Sequence, residues 1–253
     1  MEATSDRRVA RLRSISVFFP VYNDALTIES LVTAAKEVLP QVSDDWEIIL
    51  VDDCSPDASG AIADRLAAAD RRIRVIHHER NRGYGGALKS GFAAATKEWI
   101  FYTDGDGQYD VRELKALVAR SDDADLVNGY KIRRGDRLYR KVTGAIYHLT
   151  AKTLFGLRVR DVDCDFRLIR KAVVDAMPLE ADSGVICAEM MTKLHGIGAR
   201  IVEVPVHHYP RRAGRSQFFR PGRIMRTLAG LAAQWWRLII CEGKRRVRMP
   251  PRI

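Results

Sequence analysis

The chain has 253 residues, of which 47% are apolar, and is long enough for one large α/β domain with a full core. It shows neither the roughly eighteen apolar residues of a membrane-spanning helix nor a secretory signal, and its four scattered cysteines lack zinc-site spacing, so we expect free thiols. The formal net charge of +10 indicates an anionic partner, such as lipid, a phosphate-bearing substrate or nucleic acid, with a solvated basic surface as the alternative.

Apolar runs with the length of strands alternate with segments of helical spacing. The predicted strands are Ile15–Phe19, Trp46–Val51, Ile73–His77, Trp99–Thr103 and Asp125–Tyr130, and the predicted helices are Ala25–Leu39, Ala58–Ala69, Ala87–Thr96, Val111–Ala119 and Ser183–His195. This order predicts right-handed crossovers and an α/β fold with a mostly parallel sheet flanked by helices. In such sheets ligands bind beyond the carboxyl ends of the strands.

Polar clusters stand at those predicted strand ends. They are Tyr22–Asp24, Asp52–Asp53, Asn81–Gly83 and Asp104–Asp106, and we expect them to line one crevice. The short glycine-rich stretch Gly83–Gly86 is interpreted as a helix entry.

Asp104 and Asp106 are the strongest candidates for a metal site. Residues two apart in an extended segment project to the same side, and Gly105 between them lets a ligand approach the main chain. Two carboxylates with Gln108 suit Mg²⁺ or Mn²⁺ whose remaining positions are filled by substrate phosphates. The alternative is a polar turn in which Asp110 caps the next helix.

Four of these segments, in order, carry a family resemblance: Pro20-Val21-Tyr22-Asn23, Val51–Asp57, Asn81-x-Gly83 and Asp104–Gln108. They resemble the successive motifs of family 2 inverting glycosyltransferases with the GT-A fold. Asp161–Leu168 and Ile201–Val206 resemble the branch that contains the dolichyl- and polyprenyl-phosphate mannose and glucose synthases. The resemblance implies a GT-A catalytic domain over 14–217, after a flexible N-terminus at 1–13 and before a basic amphipathic segment at 218–253.

The resemblance, together with the residue chemistry, also indicates which residues bind a nucleotide-sugar donor. They are Pro20, Tyr22, Asp24, Asp53, Asp104, Gly105, Asp106, Lys131 and Arg211. In relatives Tyr22 would cover the base, Asp53 would accept its ring N–H, and Lys131 and Arg211 would face the diphosphate. A half-buried ring at a strand end is the alternative for Tyr22.

The acceptor decides whether a general base is needed. A phosphate monoester has a second pKa of about 6 and is already anionic at neutral pH, so positioning by Arg133, Arg137 and Arg167 would suffice. A hydroxyl acceptor needs a carboxylate base, for which Glu189 is the best candidate, although it is equally suited to an ion pair. Asp106, Arg167 and Glu189 are therefore the predicted catalytic residues.

Three positions depart from the family pattern. Asp24 stands where many relatives carry Glu, Cys164-Asp165-Phe166 replaces Ser-Gly-Phe, and Gln217 stands where mannosyl-phosphate synthases have Lys. These departures leave the donor open between GDP-sugars and UDP-sugars.

The C-terminal segment Arg223–Cys241 has apolar residues at helical spacing, including Trp235, with arginines on a narrower opposite arc. This pattern favours an amphipathic helix in a membrane interface. A core helix or an oligomer contact is the alternative.

We therefore expect an inverting, metal-dependent hexosyltransferase that acts on a polyprenyl phosphate at the cytoplasmic face of the membrane. The expected partners are a nucleotide sugar, a lipid acceptor and an anionic membrane surface; nucleic acid is not expected, and a homo-oligomer is left open. One alternative is transfer to a hydroxyl of a glycolipid or saccharide. Another is a non-catalytic basic module that binds membrane or nucleic acid, against which the intact acidic motifs argue.

Overall fold

The computed structural model describes residues 10–134, 149–150, 152–211 and 229–241 of the chain. In this part the strands are β1 (Leu12–Val21), β2 (Ser43–Asp52), β3 (Ile73–His77), β4 (Trp99–Thr103), β5 (Leu126–Arg134), β6 (Phe166–Arg170) and β7 (Ile201–His208). The α-helices with defined bounds are α1 (Ile28–Val42), α2 (Ser59–Ala69), α3 (Gly83–Ala94), α4 (Leu114–Val118), α5 (Lys171–Asp175) and α6 (Ile186–Gly196). Single 3₁₀ turns at Val111–Glu113 and Ser121–Asp123 flank α4, and a helical segment at 229–235 continues into a π-helix at Trp236–Cys241.

The described strands form one sheet in the order β3-β2-β1-β4-β6-β5-β7. The neighbours β1, β2, β3 and β4 pair in parallel, as do β5 and β7, whereas β6 is antiparallel to both β4 and β5. The mostly parallel α/β sheet expected from the sequence is thereby confirmed.

The antiparallel strand brings an additional loop to the binding edge of the sheet. Thr103 at the end of β4 lies opposite Phe166 at the start of β6. The segment 161–165, which precedes β6, therefore joins the carboxyl ends of the parallel strands at the same edge. Ligand-binding loops of open α/β sheets gather at this edge.

Apolar side chains on both faces of the sheet form the core. On one face Phe18 of β1 stacks on Tyr102 of β4, with 5.3 Å between the ring centroids, and Phe92 of α3 packs edge-on against both. Gly91 allows this packing, because a Cβ at that position would lie 2.3 Å from the Phe18 ring. Helix α3 is thus held close to the sheet, with its first turn at the binding edge.

Several predicted bounds differ from the observed ones. β1 begins at Leu12, so the predicted flexible N-terminus of 1–13 includes two residues of a buried strand. Helix α1 begins three residues later than predicted, because residues 25–27 form a turn in which the Asp24 carbonyl accepts from the N–H groups of Thr27 and Ile28. β6 was not predicted as a strand.

Among the described residues, no helix has both the length and the apolar character needed to cross a bilayer.

Candidate active site

A cavity of about 260 Å³ opens at the carboxyl edge of the sheet. It is lined by Pro20, Val21, Tyr22, Asp24, Asp53, Asn81, Gly83, Tyr84, Ala87, Asp104, Gly105, Asp106 and Arg211. Eight of the nine residues expected to bind the donor are in this lining, and Lys131 is the exception. The structure therefore brings together the polar clusters that follow β1, β2, β3 and β4.

The turn after β1 forms one wall of the cavity. Asn23 has a φ of 62°, a left-handed conformation that asparagine tolerates better than most residues. The Tyr22 N–H donates to Asp24 Oδ2 (3.1 Å), and the Asp24 N–H donates to Ser59 Oγ (2.9 Å). Burial raises the pKa of Asp24 to about 6, although the Tyr22 N–H opposes the shift. The Tyr22 ring itself is 40% exposed, leaving its face open to a ligand.

Asp53 holds the loop between β3 and α3. Its carboxylate accepts from the backbone N–H groups of Arg82 (2.7 Å) and Gly83 (2.9 Å), and its Oδ1 lies 2.6 Å from Nδ1 of the buried His78. Asp53 lines the cavity, but both of its oxygens already accept hydrogen bonds from the protein. Recognition of a base N–H by Asp53 remains a prediction.

Asp104 and Asp106 both line the cavity. Gly105 between them is required by close packing, because a Cβ there would lie 2.8 Å from the Pro20 carbonyl oxygen and 2.9 Å from Asp24 Oδ2. Oδ1 of Asp104 is buried without a hydrogen-bond partner among the described residues. Burial raises the pKa of Asp104 well above its usual range, and the nearby carboxylates of Asp165 and Asp106 raise it further. A cation is the group that would best relieve this accumulation of negative charge.

The acid pair fits a hard divalent cation only in part. The described residues contain no group of three or more His, Cys, Asp or Glu side chains that could hold a metal ion by themselves. A cation bound to Asp104 and Asp106 would therefore take its remaining ligands from phosphate and water, as Mg²⁺ commonly does. The structure does not bring the Gln108 side chain to this pair, because Gln108 Nε2 donates to the Tyr209 carbonyl (3.0 Å), whereas the Gln108 N–H supports Asp106 Oδ1 (3.0 Å).

The two predicted diphosphate contacts are placed differently. Arg211 lines the cavity, and its Nη2 lies 2.5 Å from Asp106 Oδ2. Lys131 is outside the cavity lining and largely buried against the 161–165 loop: its Nζ donates to the Asp163 carbonyl (2.5 Å) and lies 3.8 Å from Asp161 Oδ2. Burial disfavours the charge on Lys131, but the acidic groups around it, Asp161 foremost and then Asp163 and Asp165, together outweigh burial and raise its pKa. Lys131 thus holds the 161–165 loop.

Arg167 is fully buried beneath the site. Its guanidinium donates to Asn128 Oδ1 (2.8 Å), the Tyr102 hydroxyl (2.5 Å) and the Val162 carbonyl (2.5 Å), and lies 3.7 Å from Asp165. These contacts tie β4, β5 and the 161–165 loop together. The structure therefore places Arg167 as a support of the loop, away from the cavity lining where an acceptor phosphate would need it. Arg137 and the side chain of Arg133, the other predicted acceptor contacts, lie outside the described residues.

Glu189 of α6 is also fully buried and absent from the cavity lining. Its carboxylate accepts from the N–H groups of Glu180 (3.1 Å) and Ala181 (2.9 Å), from Lys193 Nζ (2.8 Å) and from Arg237 Nη2 (3.0 Å). The structure thus shows the ion-paired alternative for Glu189. These contacts tie residues 180 and 181 to α6 and to Arg237.

Two residues near Asp104 were not among the predicted site residues. Tyr84 lines the cavity from the first turn of α3, and the Asp165 carboxylate is close enough to raise the pKa of Asp104. A sequence signal existed for each of them: Tyr84 lies in the glycine-rich stretch after β3, and Asp165 lies in the Asp161–Leu168 motif.

A mostly parallel sheet with an acid pair at its carboxyl edge is the arrangement that the sequence motifs implied for a GT-A fold. The chain belongs to glycosyl transferase family 2, whose family model matches residues 16–177. Both the family and the fold expected from the sequence motifs are confirmed.

Two curated relatives show where the chain is similar. It is 31% identical over 240 residues to glycosyltransferase AglD of Haloferax volcanii, an alignment that covers 89% of this chain and 38% of that protein. It is 30% identical over 215 residues to undecaprenyl-phosphate 4-deoxy-4-formamido-L-arabinose transferase of Salmonella choleraesuis, covering 83% of this chain and 64% of that protein. The chain therefore spans less than two thirds of the length of either relative.

Solved structures share the fold at lower identity. Glucosyl-3-phosphoglycerate synthase of Mycobacterium tuberculosis, in complex with Mn²⁺, UDP and phosphoglyceric acid, has a TM-score of 0.68 at 20% identity, covering 88% of this chain and 78% of that one. TarS of S. aureus, residues 1–349 in complex with UDP-GlcNAc, has a TM-score of 0.58 at 17% identity, covering 87% and 66%.

Proposed function

We propose that this chain is an inverting glycosyltransferase domain that moves a hexosyl group from a nucleotide-diphosphate sugar to a polyprenyl phosphate, with Mg²⁺ or Mn²⁺ as cofactor. One observation supports the proposal most directly. Asp104, whose buried Oδ1 makes no hydrogen bond among the described residues, and its neighbour Asp106 line the same cavity as the exposed ring of Tyr22 and the guanidinium of Arg211. A base, a diphosphate and a sugar can be accommodated along such a surface.

The leaving group is a diphosphate, so the cavity must neutralise its negative charge. A divalent cation on Asp104 and Asp106 would neutralise charge on the departing diphosphate. Arg211 stands at the same rim and can transfer its guanidinium from Asp106 to a phosphate oxygen, because a planar fork suits both partners. Two solved structures that share the fold contain UDP or a UDP-sugar, and one of them also contains Mn²⁺. These ligands support a nucleotide-sugar donor and a divalent metal for this chain.

The contacts of Glu189 on α6 support a phosphate acceptor. Since Glu189 is committed to four protein donors, the transfer to a hydroxyl lacks the base that the sequence suggested for it. A lipid phosphate is already an anionic nucleophile with a second pKa of about 6 and needs only to be positioned. The 30% identical relative named for undecaprenyl-phosphate transfer supports the same class of acceptor.

We further propose that the C-terminal segment lies against a membrane surface on the cytoplasmic face. Leu231 and Leu238 are buried against the domain, whereas Trp236, Ile239 and Ile240 of the π-helix are exposed at 60%, 39% and 48%. An exposed Trp beside aliphatic side chains suits the bilayer interface. Co-sedimentation with anionic phospholipid vesicles tests this proposal: substitution of Trp236 by Ala should weaken binding severalfold, and unchanged binding would contradict it.

The transfer itself is tested with purified chain, Mg²⁺ or Mn²⁺ and a panel of UDP- and GDP-sugars. We expect release of nucleoside diphosphate that requires both metal and a short polyprenyl phosphate, and a product whose anomeric configuration is opposite to that of the donor. Release with the matching polyprenol or with a saccharide, but not with the phosphate, would instead support a hydroxyl acceptor. No release under any condition would overturn the proposal.

A further inference from the structure

Tyr84 presents a buried hydroxyl that lies close to the Asp104 carboxylate but forms no well-aligned hydrogen bond with it or with any other described residue. It lies in the first turn of α3, lines the cavity, and has its hydroxyl buried without a hydrogen-bond partner among the described residues. Leaving such a group unpaired is costly, since a buried hydroxyl without a partner loses its hydrogen bonds to water. An unsatisfied polar atom on a cavity wall indicates a ligand that satisfies it.

The position of this hydroxyl is fixed by the backbone around it. Gly83 has a φ of 76°, and a Cβ on Gly85 would lie 2.2 Å from the Ala181 carbonyl oxygen, so the first turn of α3 is pressed against the 180–183 segment. The Gly85 N–H donates to the Asp182 carbonyl (3.0 Å). The backbone that carries Tyr84 is therefore held in place, as recognition of a substrate by a side chain requires.

The surroundings of Tyr84 define the chemistry of its partner. The phenol of Tyr84 is neutral at physiological pH and can both donate and accept a hydrogen bond. In the proposed function the base of the donor lies at Tyr22 and its diphosphate at the cation on Asp104 and Asp106, so the sugar is the part of the donor left for the wall that carries Tyr84. An alcohol, which also donates and accepts, is a suitable partner for this phenol.

We infer that Tyr84 is a specificity-determining residue that hydrogen-bonds one hydroxyl of the transferred sugar. This inference rests on the proposed function, because it assigns the sugar end of the donor to this wall. A site built to hydrogen-bond a substrate hydroxyl strongly rejects an analogue that lacks it. Tyr84 would thus help decide which nucleotide sugar the domain accepts.

The test compares donor binding with nucleotide binding in the full chain. Affinities are measured by calorimetric titration in the presence of Mg²⁺ and without acceptor. The first set of ligands is UDP, UDP-glucose and UDP-glucose analogues that each lack one ring hydroxyl. The second set is GDP, GDP-mannose and the corresponding deoxy analogues. The variant is Tyr84→Phe. The matched control is Tyr109→Phe, a buried tyrosine outside the cavity lining whose hydroxyl faces Cys164.

We expect Tyr84→Phe to leave the affinity for the nucleoside diphosphate unchanged and to weaken the nucleotide sugar about tenfold, the value of one hydrogen bond. One deoxy analogue should bind wild type about tenfold more weakly than the complete nucleotide sugar does. The same analogue should bind Tyr84→Phe with the affinity that it has for wild type, because the hydrogen bond is already lost when either partner is removed. Tyr109→Phe should bind every ligand as wild type does.

Equal losses for diphosphate and nucleotide sugar would overturn the inference, since Tyr84 would then act on the fold, the metal or the nucleotide. The inference would also be overturned if Tyr84→Phe bound the nucleotide sugar as tightly as wild type does. It would be overturned likewise if every deoxy analogue lost as much affinity for Tyr84→Phe as for wild type. If wild type binds neither nucleotide sugar, the proposed function fails, and the inference fails with it; that outcome is visible before any variant is compared.

Discussion

Replacing Glu189 by glutamine is expected to lower the free energy of unfolding without removing a catalytic group. The buried carboxylate accepts from two backbone N–H groups, at Glu180 and Ala181, and from the side chains of Lys193 and Arg237. Glutamine keeps the shape but removes the charge and turns an NH₂ group toward these donors.

The size of the effect follows from burial. Removing one partner of a buried ion pair costs about 3–5 kcal/mol. Lys193 and Arg237 retain 14% and 29% exposure of their side chains and can turn toward water, so we expect about 2–4 kcal/mol for Glu189→Gln. The exposed pair Lys171–Asp175 offers a control, because Asp175→Asn should cost no more than about 0.5 kcal/mol.

Urea unfolding followed by tryptophan fluorescence measures the stability, and nucleoside diphosphate release with lipid phosphate measures the transfer at a temperature where the variant is folded. We expect the folded variant to keep its activity within about tenfold, since a general base would contribute about 10²–10⁴. A variant as stable as wild type that has lost more than a hundredfold in rate would refute this reasoning, because Glu189 would then be the base.

Two further predictions concern the cavity. Because burial raises the pKa of Asp24 to about 6, the folded chain holds a proton between pH 4 and 6 that the unfolded chain releases. The free energy of unfolding of wild type should therefore fall as pH rises through this window, by at most about 3 kcal/mol. The Asp24→Asn variant should lack this fall, and an identical pH profile in both proteins would contradict the raised pKa of Asp24. Arg211→Ala frees Asp106, so the affinity for Mn²⁺ alone should rise while that for UDP with Mn²⁺ falls about tenfold, whereas Arg112→Ala, far from the cavity, should change neither. Parallel changes of the two affinities would contradict this second prediction.

The binding edge of the sheet could be predicted from sequence because strand ends and polar clusters coincide. The bounds of β3 and β4 were predicted correctly, since each is a short apolar run bordered by polar residues. The cavity lining then follows from the parallel topology. In contrast, β6 is only five residues long and contains Arg167 and Arg170, so its strand character depends on burial between β4 and β5.

The roles of single side chains could not be predicted in the same way. Glycines disfavour a helix, and the predicted start of α3 at Ala87 followed that propensity. The helix instead begins at Gly83, because only glycine fits against the carbonyl of Asp182. The burial of Glu189 depends on Arg237, which is distant in sequence, and the unpaired hydroxyl of Tyr84 is visible only in three dimensions.

Binding of Mn²⁺ at the acid pair can be followed directly by electron paramagnetic resonance, with and without UDP. In wild type we expect Mn²⁺ to bind tightly only when UDP supplies phosphate ligands, and we expect Asp104→Asn and Asp106→Asn each to weaken that binding by at least about tenfold. Asp110→Asn, whose carboxylate caps the turn that begins at Val111, should bind as wild type does. Undiminished Mn²⁺ binding with UDP in Asp106→Asn would show that this acid pair does not hold the metal and the diphosphate.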